Sequence, residues 1–216
     1  METKHQVHNL IILDESGSME SIKKTIIQGF NEIVQTVKGI EKVFPEQQHY
    51  ISLVTFNGLG QKLLHFIDPV SKLEQIDHTR YNPDATTPLY DAIGFSISKL
   101  RKVTDNLTDY NVLVTILTDG EENSSMEYSG SDIKKIIESL KLTNWTFTYI
   151  GTDHDVEHFA TSNSITNTMV FNKNEAGMKA MFLKERTSRH NYSQKIRDAK
   201  QTENNFYDEE DVVKGE

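Results

Sequence analysis

Residues 9–22 read NLIILDESGSMESI, an apolar run that closes on Asp14 and passes through Glu15-Ser16-Gly17-Ser18-Met19 into a segment with helical spacing. A continuous apolar run of strand length marks a strand buried on both faces, the kind that fills parallel sheets. The turn after it carries a carboxylate and two hydroxyls at every second residue, 14, 16 and 18. Ligands of open α/β sheets bind outside the carboxyl ends of strands, at the point where strand order reverses. DESGSM stands at such an end, which makes it the first candidate for a functional loop.

Working outward, apolar runs recur at 50–56, 62–67, 111–118 and 146–150, with a weaker one at 168–171. Helix-patterned segments alternate with them, and this alternation predicts an α/β fold around a buried, mostly parallel sheet. Only Asn57-Gly58-Leu59-Gly60 separates the second and third runs, a hairpin-like join that sets one of them antiparallel at a sheet edge. Ile22, Ile26, Phe30, Ile33, Val34 and Val37 recur at three- and four-residue spacing and predict an amphipathic helix ending at Gly39. Leu89, Ala92, Ile93, Ser96, Ile97 and Leu100 predict another after Pro88, and Ile133, Ile136, Ile137 and Leu140 a third, capped by Ser129 or Ser131.

With 216 residues and 36% apolar content, the chain has the material for one domain with a short extension. That domain is placed at 1–183. Residues 184–200 are polar all round, with six Lys or Arg against two acids, and read as a basic helical extension. Residues 201–216 carry six acids and one lysine without an apolar period, and read as a largely disordered acidic tail.

A net charge of -9 offers no concentrated basic surface for nucleic acid or for an anionic membrane. The chain has no cysteine, so disulfides, thiolate metal sites and thiol nucleophiles are excluded, and a reducing compartment is expected. The N-terminal apolar run is too short and too quickly followed by acid for a signal peptide, and no window approaches a membrane span. These features point to a cytoplasmic protein.

Two further segments join DESGSM if the first and fourth strands are neighbours. VLVTILTDG brings Asp119 to a strand end, and Asp84-Ala85-Thr86-Thr87-Pro88-Leu89-Tyr90 brings hydroxyls to a helix start. Two carboxylates and three hydroxyls, without imidazole or thiolate, form an oxygen-only set suited to Mg²⁺, Mn²⁺ or Ca²⁺ rather than to zinc or copper. Taken singly, each piece has a plainer role: Ser16 or Ser18 as a helix cap, Thr87-Pro88 as a cap and first turn, Asp119-Gly120 as a turn.

DESGSM resembles the D-x-S-x-S motif of von Willebrand factor type A domains, and Thr87 in TTPLYDAI and Asp119 in ILTDGEEN match the other two parts of that family's metal-ion-dependent adhesion site. The resemblance extends over about residues 5–183. It implies a Rossmann-like, doubly wound, six-stranded sheet of order 3-2-1-4-5-6, mostly parallel with one antiparallel edge strand and helices on both faces. It further implies that Ser16, Ser18 and Thr87 ligate the metal directly, that Asp14 and Asp119 act mostly through water, and that a protein partner's Asp or Glu completes the shell. Many members place glycine before the ligand threonine, where this chain has Thr86. The paired acids that follow the motif in some integrin-type members are absent, Glu20 standing alone, so no adjacent second metal site is expected.

The expected function is therefore a metal-dependent protein-binding module of an intracellular bacterial or phage type, not an enzyme. An accessory subunit of an ATPase or modification-enzyme complex is one alternative, and a metal-dependent hydrolase another. Glu15 and Glu20 count as surface acids on this reading, Glu121 and Glu122 as a solvated turn, and Phe56, Asn57 and Gly58 as the rim of the site. His154-Asp155-Val156-Glu157-His158 matches an H-x-x-E-H zinc pattern but sits where a crossover helix is expected and has no third ligand. Neither a G-x-S-x-G elbow nor a G-x-x-x-x-G-K-[ST] loop is present.

Overall fold

The computed structural model describes residues 4–152 and 156–207. Six strands form one sheet: β1 (His5–Asp14), β2 (Gln47–Asn57), β3 (Gly60–Pro69), β4 (Tyr110–Leu117), β5 (Trp145–Gly151) and β6 (Asn167–Val170). Their order is β3-β2-β1-β4-β5-β6, and only β3 runs antiparallel to its neighbour. The fold is thus the Rossmann-like, mostly parallel sheet expected, with the hairpin at one edge. Gly60 makes that hairpin possible, since its φ of +130° is one that a side chain would resist.

Alternation along each strand separates two cores. Leu10, Ile12, Val112, Val114, Ile116, Phe147 and Tyr149 pack against helices α2 (Leu89–Thr104) and α3 (Gly130–Lys141) and the short α4 (Val156–Ser162). Val7, Ile11, Leu13, Ile51, Leu53, Leu113 and Ile150 face helices α1 (Lys23–Val43) and α5 (Glu175–Arg197). Both faces of the central strands are buried, which is why β1 and β4 read as unbroken apolar runs. Ser129 caps α3 and forms a reciprocal capping box with Asp132, resolving the choice between the two serines.

Helix α1 does not end at Gly39 but runs to Val43, because Ile40 and then Phe44 continue its buried face. Burial of those side chains outweighs the ~1 kcal/mol that glycine costs a helix interior. A Cβ at Gly39 would meet nothing within 4 Å. Gly39→Ala should therefore add up to about 1 kcal/mol, seen as a rise of roughly 2–4 °C in melting temperature. Gly29 is the opposite case: a Cβ there would overlap the Phe182 ring, so this glycine lets α1 and α5 pack in contact.

Helix α5 is continuous across 183/184, so the boundary expected there falls inside one element. The segment read as polar all round has a buried face, made of Glu185, Ser188, Arg189, Tyr192, Ser193 and Lys195. It lies over polar sheet positions. Arg189 donates to Glu185 at 2.8 Å, to Asn9 Oδ1 at 3.0 Å and to Thr115 Oγ1 at 2.7 Å, and Gln47 Nε2 donates to the Ser193 carbonyl. Residues 201–207, expected as disordered tail, pack here too. Phe206 and Tyr207 are buried, Asn167 bonds the backbone of Glu203 and Phe206, and the Tyr207 hydroxyl donates to Glu185. The remainder of that tail, 208–216, lies outside the described residues, as do His154 and Asp155 of the H-x-x-E-H segment. Among the described residues no helix is long and apolar enough to cross a membrane.

Candidate functional site

Strands β1 and β4 are neighbours, with Leu13 opposite Leu117, so Asp14 and the Thr118-Asp119 pair emerge side by side at their carboxyl ends. From β1 the chain crosses to β2 on one side and from β3 it returns to β4 on the other, so the order reverses between β1 and β4. The loop before α2 is drawn into the same place by the backbone: Gly17 N–H donates to the Ala85 carbonyl at 3.1 Å, and Asp84 N–H to the Glu15 carbonyl at 2.9 Å.

All five expected residues meet here. Asp14 Oδ1 accepts from the Ser16 N–H at 2.7 Å, the Ser16 and Ser18 hydroxyls stand 3.2 Å apart, and the Ser18 hydroxyl donates to Asp119 Oδ1 at 2.6 Å. Thr87 joins from the α2 side, where its hydroxyl would lie 3.7 Å from a Cβ on Gly120. The plainer capping roles fall away for two of the three hydroxyls. Ser16 precedes the short 3-10 turn Gly17–Ile22 without a side-chain cap bond, and the N-cap position of α2 is Pro88 rather than Thr87. Thr86 is exposed and accepts a hydrogen bond from Ser124, whereas Thr87 is buried beside Gly120, so the geometry singles out Thr87 of the two.

Several residues that the sequence reading passed over build the site. Thr118 donates to Asp14 Oδ2 at 2.6 Å, and the Tyr81 hydroxyl donates to the Asp14 carbonyl at 2.6 Å. Asn123 Oδ1 accepts from the Thr87 N–H at 2.9 Å and so fixes the threonine. Glu15 is not a surface acid. Its side chain is fully buried, and one oxygen accepts from Lys62 at 3.0 Å and from the Asn82 N–H at 2.6 Å, tying the loop before Thr87 to β3. Asn57 is likewise buried and donates to the Glu15 carbonyl, so it braces the loop rather than rimming it. Glu122 accepts from Ser124, Ser125 and Tyr90, and Asp91 accepts three N–H groups from 126–128, pinning the loop after Asp119 to α2. Thr118 was the most legible of these, being adjacent to Asp119. Tyr81 and Asn123 follow no pattern in the sequence. Ala85 sits at φ +62°, a left-handed conformation that costs a residue with a side chain about 1–2 kcal/mol, within the loop that delivers the threonines.

The electrostatics suit a cation. Burial raises the Asp14 carboxyl to about 6, against the pull of hydrogen bonds from Thr118 and Ser16, and the Asp119 charge pushes the same way. Asp119 Oδ2 is buried and accepts no hydrogen bond, although the Lys173 ammonium stands 3.0 Å from it. A hard divalent ion fits this set. The oxygens are carboxylate and hydroxyl only, two hydroxyls are not engaged as caps, and two acidic groups lie close together.

Burial also holds His8 down at about 4 and His49 at about 3, the latter helped by the Arg189 charge. Both folded values lie below the ordinary 6.5. The unfolded chain therefore takes up two protons that the folded one refuses as pH falls below 6.5, and stability drops. Asp14 acts in the opposite sense, since the folded chain gains a proton near 6 that the unfolded chain gains only near 3.8. Over these three groups the balance is one proton, so in chelator unfolding free energy should fall by about 1.4 kcal/mol per pH unit between roughly pH 6 and 5. Urea denaturation across that range measures it, and a flat profile would contradict the assignment.

A doubly wound sheet whose strand-end loops bring hydroxyls and acids to its switch point defines a class of α/β fold. The family model for the von Willebrand factor type A domain matches residues 10–185, and the chain belongs to that family. No curated protein sequence matches it significantly. Among solved structures it is similar to the ArnB paralog VWA2 from Sulfolobus acidocaldarius (TM-score 0.53, 16% identity, 87% of this chain and 46% of that one). It is also similar to proximal thread matrix protein 1 from the mussel byssus (TM-score 0.54, 13% identity, 83% of this chain and 45% of that one). The SpRpn10 VWA domain matches with TM-score 0.50 and 12% identity over 84% of this chain and 95% of that domain. At these identities the likeness is one of fold, and this chain spans less than half the length of the first two proteins.

Proposed function

We propose that this von Willebrand factor type A domain is a divalent-metal-dependent protein-binding module, in a family whose members typically serve as interaction modules. Ser16, Ser18 and Thr87 would hold Mg²⁺, or Mn²⁺ or Ca²⁺, directly, with Asp14 and Asp119 contributing through water. The open position would take an Asp or Glu of the partner. One observation carries the reading: oxygens from three separate loops meet at the switch point, with the hydroxyls of Ser16 and Thr87 left out of the capping roles their positions offer. The cysteine-free composition leads us to place the module inside the cell.

A hydrolase would need a base beside the ion. Glu15, the neighbouring acid in the loop, is closed off from solvent and engaged by Lys62 and Asn82, so no observation favours that reading. A role as accessory subunit of an ATPase or modification enzyme would use the same site and differ only in the partner. Capture of partners from source lysate with the intact protein, in Mg²⁺ against EDTA, tests the proposal. A partner held only with metal, and lost with Asp14→Ala/Ser16→Ala, is expected. Partner and metal affinities unchanged by that double substitution would end it.

A further inference from the structure

Lys173 lies in the short connection from β6 to α5, and β5 stands between β6 and β4 in the sheet. Its side chain nevertheless spans the carboxyl end of β5 and brings Nζ to 3.0 Å from Asp119 Oδ2. That oxygen is buried and accepts no hydrogen bond, while Oδ1 is engaged by the Ser18 hydroxyl. The Asp119 side chain is fully buried and that of Lys173 is 25% exposed, so the ammonium can withdraw to solvent while the carboxylate cannot. A lysine is suited to such an exchange, being a strongly hydrated point charge on a flexible stem.

Resting on the metal-binding reading above, we infer that Lys173 is a tethered cation that neutralises Asp119 in the ion-free site and sets the affinity for divalent ions by competing with them for that carboxylate. Two effects act in the same direction. An entering ion has to displace the ammonium from Asp119 or share the carboxylate with it, and the site's two acidic charges are already half offset before the ion arrives. Lys173 also keeps a buried carboxylate paired when no ion is bound, where an unpaired charge would be costly. The arrangement trades affinity for a site that stays folded when empty. Among the described residues, the ammonium groups of Lys62 and Lys23 also lie near these loops, but they meet Glu15 and Asn82 rather than Asp119 and have no part in the competition.

Isothermal titration of the intact protein with Mn²⁺ and Mg²⁺ tests this, using Lys173→Met, Lys173→Gln, the charge-conserving Lys173→Arg, and Lys62→Met as a control for general field effects. Lys173→Met and Lys173→Gln should bind about tenfold tighter than the wild type, and Lys173→Arg and Lys62→Met should not. In EDTA the Met and Gln variants should melt below the wild type, and metal should raise their melting temperatures by more than it raises that of the wild type. If the wild type binds and the Met and Gln variants bind no tighter, the competition is refuted and the metal site stands. Equal tightening by Lys62→Met would also refute it, leaving only a long-range field. If neither wild type nor variants bind a divalent ion, the metal reading and this inference fall together.

Discussion

Arg189→Ala should cost about 3–5 kcal/mol of folding stability, the largest effect expected of any single substitution named here, because it leaves the buried Glu185 carboxylate without its counter-charge. The guanidinium is 2% exposed and is committed on three sides, to Glu185 and to Asn9 and Thr115 of the two central strands. Removing it takes a hydrogen-bond partner from all three, and among the described residues the Tyr207 hydroxyl is what continues to serve Glu185. Glu185→Leu/Arg189→Met should recover at least half of the loss, since replacing a whole buried pair by apolar groups costs far less than breaking it. Urea unfolding at neutral pH in the presence of EDTA gives both values. A loss below about 1 kcal/mol for Arg189→Ala, the range of an exposed pair, would mean that α5 is not anchored through this network.

The second large effect falls on the candidate site. Asp14→Asn should weaken Mn²⁺ and Mg²⁺ binding by about 100-fold, the loss typical of removing a group that orders a metal's outer shell. In chelator the same variant should be more stable than the wild type at pH 7.5, by about 1–3 kcal/mol, because it abolishes a buried charge whose carboxyl is raised to about 6. The Asn side chain still offers an oxygen to the Ser16 N–H, so the loop keeps its main support. The order of stability then reverses on adding metal, which stabilises only the form that binds it. Loss of stability in EDTA would instead mark Asp14 as a structural residue of the turn.

The contrast between these two residues shows where the sequence is informative. Asp14, Ser16, Ser18, Thr87 and Asp119 stood out because each occupies a strand end or a helix start, positions that the apolar runs define clearly, and the six strands were legible for the same reason. Arg189 was hidden. The buried face of α5 keeps helical spacing through 178, 181, 182, 185, 188, 189 and 192, but from Glu185 onward it is written mostly in polar residues that match Asn9, Gln47 and Thr115 on the sheet. A hydrophobic pattern cannot reveal an interface built from paired polar groups. Gly39 misled for a related reason, since the burial of Ile40 decides that stretch of α1 and not the local preference of glycine. Glu15 and Lys173 were illegible because their roles depend on partners 47 and 54 residues away, Lys62 and Asp119, which only the assembled sheet edge brings within reach.

We propose that these oxygens hold a divalent ion. Titration of Mn²⁺ into the intact protein, followed by the electron paramagnetic resonance signal of the free ion and then reversed with Mg²⁺, tests it most directly. One saturable site per chain, displaced by Mg²⁺ and weakened about 100-fold in Asp14→Asn, is the predicted result. A signal that falls no further than in buffer, or a site that Asp14→Asn leaves intact, would contradict it.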